Sequence, residues 1–142
     1  MNKDKDIRTN KIKNASRISL AVFMIIAGLG HFTLNRIDFQ AQVPNWLPFD
    51  KDLVVLVSGA IEIALGLAIG FWKSKRTTMG WILALFFIAI YPGNIAQYIN
   101  GTDAFIGVLD TDAGRLIRLF FQPLLVVWAL WCTGAWAAWR NK

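Results

Sequence analysis

Glu62 is the only charged residue between Leu53 and Trp72, in a run whose only other polar side chain is Ser58. A run of that length and apolarity predicts a membrane-spanning helix. At about 1.5 Å per residue, Glu62 then sits roughly 14 Å into a hydrocarbon layer of about 30 Å. An ionisable group at that depth costs at least ~2.5 kcal/mol unless something pairs with it or protonates it. The chemistry on offer is proton or ligand handling in an apolar medium. Ser58 and Glu62 stand at i, i+4 and share one helix face.

Six more polar residues lie in or at the ends of three other apolar runs. His31 closes the first. Tyr91, Asn94 and Gln97 fall, with Tyr98, at i, i+3, i+6 and i+7 of another, and Arg118 and Gln122 at i, i+4 of the last. Four helices with one polar stripe each are expected to turn those stripes inward. Ser58, Glu62, His31, Tyr91, Asn94, Gln97, Arg118 and Gln122 are therefore the candidate ligand-binding residues. Each also has a structural reading. Glu62 can be a neutral acid bonded to Ser58 or Asn94. His31 can cap a helix, Arg118 can snorkel to headgroups, and Asn94 and Gln122 can serve as interhelical glue.

The elements that must position these groups are four spans, at about residues 18–33, 53–72, 79–99 and 116–139, which predict an all-α integral membrane four-helix bundle. Residues 1–17 read as a basic, mostly solvated arm whose last turns can extend the first helix. The first run lacks the small-residue cleavage pattern of a signal peptide, so it is expected to be retained. Residues 35–52 form a loop in which Pro44 and Pro48 break helix, and Trp46 and Phe49 suit a headgroup region. Tyr91-Pro92-Gly93-Asn94 is expected to interrupt the third span, freeing a carbonyl near Phe87 or Ile88 that needs a partner. Ala27, Gly28, Gly30, Gly59, Gly66 and Gly70 are small residues that allow close helix approach. Residues 100–114 are polar and glycine-containing, with Asp103, Asp110 and Asp112.

Eleven Lys and Arg flank one side of this topology, and four (Arg36, Lys51, Arg115, Arg118) flank the other. The positive-inside rule then places both termini in the cytoplasm. Trp72, Trp81, Trp136 and Trp139 fall near the same interface.

The chain has 142 residues, 56% of them hydrophobic, with a mean hydropathy of +0.45. Its net charge of +6 sits beside apolar runs, which points to anionic lipid headgroups; nucleic-acid binding, which needs a basic surface interleaved with exposed aromatics, is excluded. One cysteine, Cys132, rules out an internal disulfide or a Cys-x-x-Cys pair, and one histidine rules out a bis-His haem within the chain. No metal site and no covalently bound cofactor are expected.

Several motifs occur in order over roughly residues 18–138: Gly28-Leu-Gly30-His31-Phe32, Val43-Pro44-Asn45-Trp46-Leu47-Pro48, Ser58-Gly59-Ala60-Ile61-Glu62, Tyr91-Pro92-Gly93-Asn94 and Arg118-Leu-Phe-Phe-Gln122-Pro123. In these the chain resembles the DoxX/DoxD-like family of small bacterial membrane proteins. The resemblance implies a four-helix, multi-pass protein of the bacterial cytoplasmic (inner) membrane. It also implies links to quinone-dependent oxidoreductases, as subunit or as membrane partner.

The leading expectation is thus a binding or accessory subunit embedded in the lipid bilayer. Its polar pocket would hold a quinone- or lipid-like ligand, and a redox-enzyme partner would supply the electron route. Two alternatives stay open: a small proton-coupled transporter using Glu62, and a purely structural assembly subunit. Self-association into a homo-oligomer is compatible with all three.

Overall fold

The computed structural model describes residues 3–33, 36–100 and 111–142, and side chains from residue 10 onward. Among these residues six helices follow in order: α1 (Lys3–Gly30), α2 (Arg36–Gln40), α3 (Lys51–Phe71), α4 (Arg76–Asn100), α5 (Asp112–Cys132) and α6 (Ala135–Arg140). A single 3₁₀ turn, Lys73–Lys75, joins α3 to α4. Among the described residues there is no strand. Within α1, α3, α4 and α5 lie four helices long and apolar enough to cross a membrane. Much of the 100–114 loop, residues 101–110 with Asp103 and Asp110, lies outside the described residues, as do Asn35 and the first two residues of the arm.

Local chemistry sets the helix starts. Asp50 accepts the amide of Leu53 at the start of α3, and Thr111 accepts that of Gly114 at the start of α5. The chain forms two tight antiparallel pairs, α1 with α3 and α4 with α5, which close on each other through α1–α5 and α3–α4 contacts. In the first pair the backbones nearly touch. A Cβ added at Gly28 would stand 2.8 Å from the Gly59 carbonyl oxygen, and one at Gly66 would stand 3.0 Å from that of Ala21. Close approach at small residues, expected from the sequence, is thus found at Gly28, Gly59 and Gly66; at Gly70 the nearest atom is at an ordinary 3.4 Å.

Leu20, Met24, Leu65, Ile69, Leu83, Phe87, Leu125 and Ala129 form the apolar core, of which Met24, Phe87 and Leu125 also border a cavity that reaches Glu62. The outer faces are apolar as well: Ile26, Leu85, Phe120 and Leu124 are all more than 60% exposed.

Three sequence expectations change. The first helix reaches through nearly the whole arm and not only its last turns, because α1 begins at Lys3. Arg17 is buried at its base, with Nη1 donating to the Ile69 and Gly70 carbonyls at the C-terminal end of α3. Those carbonyls have no helical donor, and the negative end of the helix favours a cation there. The interruption at Pro92 is absent, and α4 runs through it unbroken. The predicted fourth span is divided: α5 ends at Cys132, Gly134 turns with φ 77°, and α6 follows.

Candidate functional site

Where α1 runs into the loop that leads to α3, these three elements enclose His31, Ser58 and Glu62. His31 Nδ1 lies 2.9 Å from the Val55 carbonyl oxygen and 3.3 Å from Ser58 Oγ. A carbonyl only accepts, so Nδ1 carries the hydrogen and the tautomer is fixed. The other ring nitrogen, Nε2, faces Glu62 Oε2 at 3.4 Å, long for a hydrogen bond. Oε2 is buried and has no hydrogen-bond partner. One proton shared between Nε2 and Oε2, or brought there by a ligand hydroxyl, satisfies both atoms.

The structural reading in which Ser58 or Asn94 ties off Glu62 is not realised among the described residues. The Ser58 hydroxyl donates to Val55 and contacts His31. The Asn94 amide donates to Gln122 Oε1 at 3.1 Å.

Two cavities meet at Glu62. The first, about 200 Å³, is floored by His31, Ser58 and Glu62 and roofed by Pro44, Trp46 and Leu47 of the loop. The second, about 400 Å³, has Asn94, Arg118 and Gln122 as its polar groups and Phe23, Phe87 and Phe121 among its apolar walls. Glu62, Phe39, Gln42 and Ile90 line both. Gln42 Nε2 is a second buried polar atom without a hydrogen-bond partner. A carboxylate oxygen and an amide donor thus stand without hydrogen bonds where the two spaces join, and the walls are mostly apolar. Such a site suits a small ligand with a few polar atoms.

The loop is held against this site from two directions. Arg36 forms a two-point pairing with Asp52 at the head of α3, and Gln40 Nε2 donates to the same carboxylate at 3.0 Å. The Asp52 hydrogen bond raises the Arg36 pKa further, so the guanidinium is a permanent cation. This anchors α2, whose Phe39 ring stacks on His31 at 3.8 Å between centroids. On the other side the Gln42 carbonyl rests against Gly93, where any Cβ would clash with its oxygen. Replacing Arg36 by Ala is expected to raise amide exchange in α2 several-fold while leaving global unfolding unchanged. Hydrogen–deuterium exchange with a thermal melt checks both.

Gln122 has a structural task. Pro92 offers no N–H to Ile88, and Gln122 Nε2 donates to the adjacent Phe87 carbonyl at 2.9 Å. The side chain thus bridges α5 to the turn of α4 that Pro92 weakens. Gln122→Leu is expected to cost about 1–2 kcal/mol of stability, read by denaturant unfolding in mild detergent.

Of the eight candidates, His31, Ser58 and Glu62 line the first cavity, and Glu62, Asn94, Arg118 and Gln122 line the second. Gln97 is buried and Tyr91 half-buried on the same helix, and neither contributes to these walls. The sequence reading missed Phe39 and Gln42, which sit in irregular or very short elements where periodicity carries no information. The one available signal was Gly93, since a glycine beside a proline marks a place where other backbone approaches closely. Among the described residues, no cluster of His, Cys, Asp and Glu has metal-binding geometry.

Residues 20–133 match the model of a family described as a domain of unknown function (DUF8561), and the chain belongs to that family. No curated protein and no solved structure matches it.

Proposed function

We propose that this DUF8561 member is a multi-pass protein of the bacterial inner membrane that binds a quinone- or lipid-like ligand at Glu62. Both termini lie in the cytoplasm, and the chain acts as a binding or accessory subunit for a redox-enzyme partner. One observation carries the reading: the buried Glu62 Oε2, without a hydrogen-bond partner and facing only His31 Nε2 at 3.4 Å, at the junction of two apolar-walled cavities.

Three further features support it. The exposed apolar faces of the helices suit hydrocarbon and are poorly suited to water. The eleven-to-four distribution of basic residues favours the stated orientation. A third, almost wholly apolar groove of Leu47, Phe49, Leu53, Val54, Val57 and Ile61 adjoins the first cavity at Leu47, Val54 and Ser58. An isoprenoid or acyl tail has a path along it from headgroup site to bilayer. The DoxX-like resemblance points to the same ligand class.

The chemistry follows from the polar groups. A quinol gives up two protons and two electrons on oxidation. The His31–Glu62 pair takes the protons one at a time, and the electrons pass to the partner. Gln42 Nε2 is the donor placed to hold the resulting quinone carbonyl.

Quenching of tryptophan fluorescence by a short-tailed quinone tests this, because Trp46 lines the first cavity. Saturable quenching is expected, smaller in amplitude in Trp46→Phe. Its affinity should fall about tenfold or more in Glu62→Gln and His31→Ala, the worth of one buried hydrogen bond. Equal affinities in all variants would rule the site out.

A further inference from the structure

The opposite end of the bundle holds a cavity of a different kind. About 310 Å³ is enclosed by Lys13, Asn14 and Arg17 of α1, Arg76 and Thr77 of α4, and the start of α6. Arg17 is 2% exposed. Its Nη1 is taken up by the end of α3 and its Nη2 by Asn14 Oδ1 at 2.6 Å, and its Nε has no hydrogen-bond partner. The C-terminus of α3 offsets roughly half of one positive charge. Lys13 and Arg76 add two more around the same space. The described side-chain carboxylates Asp38, Asp50, Asp52, Glu62 and Asp112 all belong to the other end. Adjoining through Lys13 and Ala137 is a second space of about 310 Å³, bounded by Trp131, Trp136 and Arg140. Lys13 Nζ stands 6.0 Å from the centre of the Trp131 ring. A polar space ringed by cations, one of them nearly removed from water, calls for an anion.

We propose that this cavity binds a phosphate group, that of an anionic phospholipid headgroup. Lys13 and Arg76 contact the phosphate oxygens, the Asn14 and Thr77 side chains supply neutral hydrogen bonds, and Arg17 provides the fixed charge at the back. The indoles of Trp131 and Trp136 mark where the acyl chains begin, as tryptophans do at membrane interfaces. Basic pockets between helices at this depth suit phosphate headgroups. The inference uses the membrane reading but not the Glu62 ligand, which lies at the other end.

Native mass spectrometry of the purified chain with phosphatidylglycerol, phosphatidylcholine or inorganic phosphate tests it. Phosphatidylglycerol is expected to bind saturably and more tightly than phosphatidylcholine. Lys13→Gln with Arg76→Gln should weaken it about 25-fold, near fivefold per charge. Lys75→Gln with Lys142→Gln removes the same charge from the same end but lines neither cavity, and should change affinity less than about twofold. Should the first pair fail to fold, the wild-type preference between the two lipids decides the matter. Millimolar phosphate that binds alone and displaces lipid would keep the anion site but make free phosphate its ligand. Equal binding of both lipids without phosphate binding, or equal weakening by the two variant pairs, would overturn the proposal.

Discussion

Glu62→Met is expected to yield a more stable protein that has lost its ligand. Met fills nearly the volume of Glu without a polar head, and Oε2 has no hydrogen-bond partner to forfeit. His31 keeps Val55 and Ser58 through Nδ1, and only the long 3.4 Å contact of Nε2 is lost. Removing a buried polar group from an apolar span is worth about 1–3 kcal/mol, so the unfolding midpoint in denaturant should rise. Ligand affinity should meanwhile fall by at least about tenfold, one hydrogen bond or more. A purely structural Glu62 predicts the opposite sign of the stability change, so one pair of unfolding curves separates the two readings.

Gly59→Ala is expected to cost about 2 kcal/mol, although alanine is the better helix former by about 1 kcal/mol. A Cβ at position 59 would stand 2.5 Å from His31 Cβ and 3.0 Å from the Gly28 carbonyl oxygen. Neither is the free end of a flexible side chain, so the α1–α3 pair must separate. His31 moves with it and leaves Glu62, so ligand affinity should drop together with stability. Gly70→Ala is the control on the same helix: its Cβ meets Ala21 at 3.4 Å, and stability should hold or rise slightly. Equal effects at the two positions would show that the close approach at Gly59 contributes nothing.

The polar residues of the site were legible because each is expensive among apolar neighbours, which is why Glu62, His31, Ser58, Asn94, Arg118 and Gln122 stood out. Spacing gave the face of each helix but not the height at which a cavity opens. Gln97 therefore shares the stripe of Asn94 and lies about a turn beyond the second cavity. The missing N–H of Pro92 and the neighbouring Gly93 predict a break and a carbonyl in need of a partner; that Gln122, 30 residues later, supports the same turn is a tertiary fact that local sequence does not carry. Charge alone assigns Arg17 to the arm. Yet it continues the buried stripe through Leu20, Ala21, Met24, Gly28 and His31, and helical periodicity alone would have placed it inside. The roof formed by Phe39 and Gln42 was illegible because non-periodic backbone is positioned by its anchors, here Asp52 and Gly93.

The central claim, a ligand seated at Glu62, is tested most directly by what travels with the protein. Wild type and Glu62→Gln, purified from their own host in mild detergent, are extracted and the small molecules identified by mass spectrometry. The account predicts one quinone or defined lipid near about one per chain in the wild type, as expected of a pre-formed pocket, and its loss from a Glu62→Gln protein that remains folded. Identical bulk phospholipid in both samples, with the fold intact, would contradict it.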